Sequence, residues 1–209
     1  MRVGPRVVLL MVTLLGCRSH PAARMDAPWR QGHCAHDDVP WRLPFPAGVE
    51  HQVMQANRGA FSHLDDDLYA WDFRMPPGSP VTAAADGVVV RVTDHHTQGG
   101  PDRRLAERAN VVVVRHGTGR FSVYQHLAPH SARVRVGRAV KQGEVLALSG
   151  NTGWSWEPHL HFEVVDRQNR SQPICFVDVP GGVPHHARRY RSGNILVTPA
   201  QVTPRPALP

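Results

Sequence analysis

Lysine, long apolar runs and helical periodicity are all scarce in this chain of 209 residues. Lys141 is the only lysine, so the formal net charge of +7 comes almost entirely from arginine. No RNA-binding signature, zinc-finger spacing or basic amphipathic helix accompanies this charge, which favours a membrane surface or a cell-wall polymer over nucleic acid as the anionic partner. No His-Glu-x-x-His segment occurs, so the helical zinc-protease arrangement is excluded.

The composition divides the chain into four parts. We expect a signal peptide over residues 1–16, a tether and irregular lead-in over 17–45, a folded domain over 46–180, and a proline- and arginine-rich extension over 181–209. Hydrophobic residues make up 41% and charged residues 20% of the chain, which is typical of a globular protein with a core. Residues 198–209 are expected to be disordered.

The N-terminus has the features of a bacterial export signal. Arg2 and Arg6 precede an apolar run over residues 7–15, which is too short for the roughly 20 residues of a membrane span but fits the core of a signal peptide. The sequence Leu-Leu-Gly-Cys at positions 14–17 resembles the lipobox, whose cysteine becomes the lipidated first residue after cleavage. The alternative is an ordinary secretory signal with a chance cysteine. We expect an exported bacterial lipoprotein that Cys17 anchors to a membrane of the cell envelope, in the periplasm or at the cell surface.

Cysteine is rare, with three residues in the chain. Lipidation of Cys17 leaves Cys34 and Cys175, and an unpaired thiol is a liability in an exported protein. A disulfide between Cys34 and Cys175 would join the start of the mature chain to the end of the domain. Two free thiols are the alternative, because spacing alone does not show that the two residues meet.

Short apolar segments separated by turn residues predict an all-β fold. Residues 81–92 have the pattern of a strand, an Asp-Gly turn and a strand, and the segments 110–115 and 121–127 flank a second turn as a hairpin. Residues 134–140 and 143–150 add further short strands, and no helix of convincing length is predicted. Strands of this length and spacing indicate an antiparallel β-sandwich or barrel.

Two histidines, His159 and His161, lie in a segment with the alternation of a half-buried strand. Both imidazoles and the carboxylate of Glu163 are predicted to share one face, while the apolar residues between them enter the core. Rings about 7 Å apart can share a site in which one ring binds a metal and the other reaches the metal-bound water. The pair alone is a weak signal, because 14 histidines in 209 residues give roughly one His-x-His by chance.

A second segment supplies further candidate ligands between His63 and Asp72. In its strand-like part Tyr69, Trp71 and Phe73 share one face, so Asp72 points to the other. An aspartate held in this way can complete a His-Asp-His set, which suits zinc and leaves the fourth position to water.

Ordered motifs from about residue 51 to residue 166 closely resemble the lysostaphin-type, or LytM-like, zinc endopeptidases. The motifs are His63 and residues 69–73 (Tyr-Ala-Trp-Asp-Phe), 77–83 (Pro-Gly-Ser-Pro-Val-Thr-Ala), 86–89 (Asp-Gly-Val-Val), 124–127 (Tyr-Gln-His-Leu), 150–153 (Gly-Asn-Thr-Gly) and 158–162 (Pro-His-Leu-His-Phe). The resemblance implies an antiparallel β-fold, related to biotinyl and lipoyl carriers, with a groove over one sheet. It also implies hydrolysis of peptide cross-links or stem peptides of bacterial peptidoglycan.

The resemblance also implies roles for individual residues. His63, Asp72 and His161 match the ligands of one zinc ion. His126 and His159 match the two catalytic histidines that flank the metal-bound water and the developing oxyanion. These roles agree with the chemistry, because zinc activates water and a nearby neutral imidazole can accept and return its proton.

Two features depart from the commonest pattern of this family. The usual aspartate follows the first histidine by four residues, which is the position of Asp67, but Asp72 stands at the family's distance from Gly-Ser-Pro-Val at positions 78–81 and is preferred. Trp156 and Glu157 replace small residues and are expected to narrow the groove. Trp154 and Trp156 either stack on substrate or pack on their loop.

Two other interpretations compete with an enzyme. A lipoprotein with this fold that only scaffolds or activates other wall hydrolases would lack metal ligands, whereas all five positions are filled here. A carrier domain needs a modifiable lysine at a hairpin tip, and the surroundings of Lys141 do not match one. The sequence therefore favours a zinc-dependent peptidoglycan endopeptidase whose partners are peptidoglycan peptides and a membrane.

Overall fold

The structure is a computed structural model that describes residues 38–59 and 61–195. Within these residues the chain forms twelve strands and two short 3-10 helices, Asp65–Asp67 and Arg103–Arg108. The strands are β1 (Glu50–Gln55), β2 (Trp71–Arg74), β3 (Pro80–Thr82), β4 (Gly87–Thr93), β5 (Gly99–Gly100), β6 (Val111–Arg115), β7 (Phe121–Gln125), β8 (Ala139–Val140), β9 (Val145–Leu148), β10 (Gly153–Trp154), β11 (His159–Val165) and β12 (Arg189–Arg191). The predictions for Cys17, Cys34 and residues 198–209 fall outside the described residues.

Eight strands form one antiparallel sheet in the order β12-β1-β2-β11-β7-β6-β4-β8. A smaller antiparallel pair joins β3 to β9, and β5 pairs with β10 in parallel. The predicted antiparallel all-β fold is confirmed. Over the described ranges, no helix has the length and apolarity of a membrane span.

Strand β11 lies inside the large sheet and separates two environments. Its even-numbered residues 160–164 are fully buried in the main hydrophobic core. Its odd-numbered residues face the other side of the sheet, where Val165 packs with Val111 and Val123 in a separate apolar cluster. His159 and His161 lie on that second face, as the alternation predicts.

Two predicted strand arrangements differ in the structure. The strands on either side of Asp86 do not pair with each other, because β3 pairs with β9 whereas β4 pairs with β6 and β8. The segment between them is a corner where Asp86 accepts hydrogen bonds from the main-chain N of Gln142, at 2.8 Å, and from Lys141 Nζ, at 2.7 Å. The predicted strand over residues 134–140 is reduced to β8, because Gly137 adopts a positive φ of 87° and turns the chain.

The packed unit extends beyond residues 46–180 on both sides. Trp41, Leu43 and Phe45 are fully buried in the core, and β12 pairs with β1. Asn194 joins the two flanks, since its Nδ2 donates to the main-chain oxygens of Leu43 and Ala83, each at 3.0 Å. The three buried side chains recur with the period of a strand, a signal that the surrounding prolines and arginines obscure.

Cys175 is disulfide-bonded in the structure. Its proposed partner, Cys34, lies outside the described residues. The pairing of Cys34 with Cys175 therefore stays a prediction.

Candidate metal centre and catalytic histidines

The pairing of β2 with β11 brings two predicted ligands together. In this register Asp72 lies opposite His161, and residues opposite each other point to the same face. Asp72 Oδ1 is 2.9 Å from His161 Nδ1, and both side chains are buried. A register slip of one residue would turn one of them to the other face. The strand pairing itself thus brings two of the three predicted ligands together.

His63 reaches the same place from the connection between β1 and β2. It is fully buried, and its Nδ1 lies 2.9 Å from the main-chain oxygen of Ala56. A carbonyl oxygen can only accept, so Nδ1 carries the ring proton and Nε2 presents a lone pair. That Nε2 lies 3.2 Å from Asp72 Oδ1 and has no hydrogen-bond partner. Two lone pairs facing each other at this distance favour a cation between them.

His63, Asp72 and His161, here called the ligand set, fit a metal ion. One ligand atom from each residue lies within 4.8 Å of the other two. Tetrahedral zinc with bonds of about 2.0–2.2 Å places its ligand atoms roughly 3.3–3.6 Å apart, close to the 2.9 and 3.2 Å found here. Two imidazoles and one carboxylate suit a borderline metal such as zinc, and a tetrahedral ion would keep one further position open.

The electrostatics favour Asp72 over Asp67 as the carboxylate ligand. Burial by itself raises the pKa of Asp72, but the imidazoles of His161 and His63 outweigh burial and hold the pKa well below its usual range. Asp72 is therefore ionised, as a metal ligand must be. Asp67 lies in the 3-10 helix Asp65–Asp67, where burial and the charge of Glu163 raise its pKa.

His126 and His159 lie beside the ligand set, and their two ring centroids are 4.5 Å apart. His126 follows β7 and its Nδ1 lies 2.7 Å from the main-chain oxygen of Thr152. The Nδ1 of His159 lies 2.7 Å from the main-chain oxygen of Glu157. Each carbonyl holds the ring proton on Nδ1 and leaves Nε2 free to accept another proton. We call these two residues the acceptor histidines.

The acceptor histidines are neutral at pH 7. Burial, together with the nearby imidazoles of His159 and His161, lowers the pKa of His126 to about 3. Burial also lowers the pKa of His159, against the opposing effect of Asp72. His126 has a positive φ of 63°, and strained backbone of this kind is concentrated at functional sites.

A cavity of about 480 Å³ opens onto these side chains. Asp72, His126, His159 and His161 line it, whereas His63 is fully buried behind them. The structure therefore brings all five predicted site residues together, four of them at one cavity. Their individual roles stay predictions.

Three aromatic side chains, Phe61, Trp154 and Trp156, line the same cavity and are here called the aromatic rim. The ring centroid of Phe61 lies 6.1 Å from that of Trp154 and 6.0 Å from that of Trp156. Phe61 is 57% and Trp156 65% exposed, which is unusual for large aromatic residues. Trp154 is braced by a hydrogen bond to a main-chain oxygen and by the guanidinium of Arg103, 4.6 Å from its ring centroid.

Sequence reasoning missed Phe61 and the groups that hold the histidines. Phe61 gives only a faint signal, an apolar side chain in a polar segment two residues before His63. The main-chain oxygens that orient the imidazoles carry no signal, because any residue type can supply them. The loop that carries Glu157 is held by Arg74, which donates to both of its carboxylate oxygens, at 2.5 and 2.9 Å.

The chain belongs to Peptidase family M23, whose family model matches residues 67–173. Four of the five site residues lie within that span, and His63 lies just before it. The resemblance expected from the motifs is confirmed. Membership in a metallopeptidase family implies a bound metal, and the ligand set fits one.

Two curated relatives and one solved structure illustrate the similarity. An uncharacterized metalloprotease of Haemophilus influenzae is 41% identical over 110 residues, which are 53% of this chain and 21% of that protein. The peptidoglycan DD-endopeptidase ShyA of Vibrio cholerae is 40% identical over 96 residues, 46% of this chain and 20% of that protein. The chain thus spans about a fifth of the length of these relatives. The M23 metalloprotease pseudoalterin from the deep sea shares the fold, with a TM-score of 0.51 at 17% identity over 78% of this chain and 100% of that chain.

Proposed function

We propose that this protein is a zinc-dependent endopeptidase that hydrolyses peptide cross-links or stem peptides of bacterial peptidoglycan. The observation that carries the proposal is the convergence of the ligand set and the two neutral acceptor histidines at one cavity. A scaffold without catalysis has no use for all five groups. The carrier interpretation gains no support from Lys141, which forms an exposed ion pair with Asp86 at 2.7 Å.

The acceptor histidines are arranged for proton transfer. Zinc, when bound by such a ligand set, polarises a scissile carbonyl and lowers the pKa of water towards about 7. His159 accepts the proton of the attacking water at Nε2, since its Nδ1 proton is held by the oxygen of Glu157. Burial lowers the pKa of this imidazole, so it readily returns the proton to the leaving amine. His126 presents a second Nε2 lone pair beside it, which accepts a hydrogen bond from the attacking water or the substrate.

Family membership and the relative ShyA, named as a peptidoglycan DD-endopeptidase, support the proposed substrate class. The test is digestion of defined peptidoglycan fragments by the purified protein, with the products identified by mass spectrometry. We expect about one zinc ion per chain, cleavage at peptide bonds, loss of cleavage with a chelator and recovery with zinc. Protein that binds no zinc and leaves every fragment intact would support the scaffold interpretation. Protein that binds zinc but leaves every fragment intact would contradict the proposed hydrolysis.

We also propose that Cys17 carries the lipid anchor of an exported lipoprotein. Support comes from Leu-Leu-Gly-Cys at the end of a short apolar run, in a protein whose proposed substrate lies in the cell envelope. Replacement of Cys17 by alanine is expected to release the protein into soluble fractions or to block processing of the signal. Unchanged membrane retention with normal cleavage would contradict lipidation.

A further inference from the structure

Glu163 lies on the histidine-bearing face of β11, and the mechanism above gives it no role. The residue is only 3% exposed, and its Oε2 has no hydrogen-bond partner. Among the described residues its ion-pair contact is with His161, whose Nε2 lies 3.8 Å from Glu163 Oε1. A carboxylate buried without a cation beside it is costly. Its presence in the sheet therefore needs a physical reason.

Glu144 shows how the same fold satisfies another buried carboxylate. Glu144 is 7% exposed and accepts hydrogen bonds from the guanidinium of Arg138 and, at 3.1 Å, from the main-chain N of Lys141. One of its oxygens is thus paired with a permanent cation and the other with the main chain. Within the described part of the chain, Glu163 has neither kind of partner, and the imidazole of His161 takes their place.

His161 lies between two carboxylates. Its Nδ1 is 2.9 Å from Asp72 Oδ1, and its Nε2 faces Glu163. When Nδ1 is the ligand atom, the ring proton resides on Nε2. A histidine that binds a metal commonly donates this second N–H to a carboxylate, which fixes the tautomer and the orientation of the ring. At 3.8 Å, Glu163 Oε1 lies about 0.6 Å beyond hydrogen-bond distance, so a small movement of either side chain lets it accept that N–H.

The neighbours of Glu163 favour this orientation. Glu163 lies opposite Val123 in the pairing of β11 with β7, and Val123 packs with Val165 in the small apolar cluster. The carboxylates of Asp67 and Glu163 repel each other. Apolar side chains and a like charge leave the imidazole of His161 as the favourable contact.

We propose that Glu163 is a positioning residue of the metal site, whose carboxylate accepts the Nε2–H of His161 and thereby holds Nδ1 towards the metal. The role rests on the proposed function, because it requires that the ligand set binds zinc. Glu163 acts through His161 and not on the substrate. Its removal should therefore weaken metal binding while the fold persists.

The test compares zinc affinity in the purified protein by competition with a chromogenic chelator. Glu163→Gln keeps the shape and an acceptor oxygen but removes the charge, so we expect zinc binding about tenfold weaker. Glu163→Met also removes the acceptor, so we expect binding about a hundredfold weaker. Glu144→Gln is the matched control, a buried glutamate away from the metal site, and should bind zinc within about twofold of the parent.

Thermal unfolding of the metal-free variants separates positioning from a structural role. Glutamine keeps the shape and an acceptor oxygen beside His161, so the midpoint of Glu163→Gln should stay close to that of the parent, whereas Glu163→Met also loses the ion pair with His161 and serves only in the affinity comparison. A residue with only a structural role would give the opposite pattern, a lower midpoint and unchanged zinc affinity. If the methionine variant does not fold, the glutamine variant decides alone, because it has nearly the same shape.

The outcomes also separate this role from the proposed function. A parent protein that binds no zinc would overturn the proposed function together with the role of Glu163. A parent that binds zinc and cleaves peptidoglycan, with both Glu163 variants within about twofold of its zinc affinity, would overturn only the role of Glu163. Equal weakening in Glu144→Gln would also overturn it, because the effect would then not depend on contact with His161.

Discussion

His159 and His161 are two residues apart on one strand face, yet their surroundings are opposite in character. His161 lies between the carboxylates of Asp72 and Glu163. His159 is held by a main-chain carbonyl, the oxygen of Glu157 at 2.7 Å. The pairing with β2 supplies Asp72 to His161, whereas the loop before β11 supplies the carbonyl to His159. The nearest partners of the two imidazoles thus differ in kind, although Asp72 Oδ1 also lies 3.7 Å from His159 Nε2.

The two surroundings give the imidazoles opposite charge preferences. Burial lowers the pKa of His161, but the carboxylates of Asp72 and Glu163 outweigh burial and raise the pKa well above its usual range. In His159 burial prevails and the pKa is lowered. The position of His161 therefore favours a cation, either a proton or a metal, while His159 stays neutral and can accept a proton. In the proposed mechanism, metal binding and proton transfer are thus divided between two neighbours by their burial and their partners.

The largest expected effect comes from His161→Ala. The variant loses one of three protein ligands, so its zinc content should fall to near zero and cleavage of peptidoglycan peptides should become undetectable. Elemental analysis and product analysis by mass spectrometry measure the two outcomes. If His161→Ala keeps stoichiometric zinc, the ligand assignment is wrong.

An equally large effect is expected at the partner carboxylate. Asp72→Ala should lose zinc and activity, because Asp72 Oδ1 lies 2.9 Å from His161 and 3.2 Å from His63. Asp67→Ala, the matched control with the alternative spacing, should keep both. The reverse pattern in the same two assays would show that Asp67 is the ligand.

His159→Ala should separate the two histidines most clearly. We expect near-stoichiometric zinc and a folded domain, with cleavage slower by about 10²- to 10⁴-fold because an acid-base group is lost. Rate measurements on zinc-loaded protein give the comparison with His161→Ala. If His159→Ala loses as much zinc as His161→Ala, or stays fully active, the assignment of metal binding to His161 and proton transfer to His159 is wrong.

The positions of the site residues that lie on strands could be predicted from the sequence. The positions of those that lie on loops could not. Strand alternation assigns Asp72, His159 and His161 to their faces, because side chains on a strand repeat with a period of two. The contact of Phe61 with the aromatic rim depends instead on how the connection between β1 and β2 folds over the sheet. No local pattern encodes that path.

Glu163 marks the boundary between these two cases. Strand alternation predicts the face of the sheet on which Glu163 lies. Its burial and its distance from His161 depend instead on how other strands and loops pack around it. The flanks show the same limit, since Trp41 is buried only because the segment before β1 packs into the core. The order of the motifs was sufficient to predict the family. The burial of these side chains and the orientation of the imidazole rings could be seen only in the folded structure.

A moderate effect of pH on stability is expected from His126, the other carbonyl-held imidazole. The pKa of His126 is about 3 in the folded protein, and the ordinary histidine value of 6.5 applies to the unfolded chain. As the pH falls, the unfolded chain therefore binds a proton before the folded protein does. The stability that His126 contributes is therefore present above pH 6.5 and is lost progressively towards pH 3, by about 1.5 kcal/mol between pH 6.5 and 5.

Urea unfolding of metal-free protein at several pH values tests this expectation. His126→Gln should remove that part of the pH dependence, whereas His185→Gln, a change at an exposed histidine, should not. Identical pH profiles for the parent and His126→Gln would show that the carbonyl-held imidazole is not kept neutral.

The smallest expected effect concerns the aromatic rim, which lies beside both histidines. Trp156 is 65% exposed and lines the cavity, so its ring offers a surface to a bound substrate. An aromatic contact contributes about 0.5–1.5 kcal/mol beyond area burial, so Trp156→Ala should raise KM by about 2- to 12-fold with kcat and zinc content unchanged. Val177→Ala is the matched control, an exposed apolar residue that does not line the cavity, and should leave KM unchanged. If Trp156→Ala leaves KM unchanged and lowers only the thermal midpoint, Trp156 packs on its loop and the substrate is held by other groups.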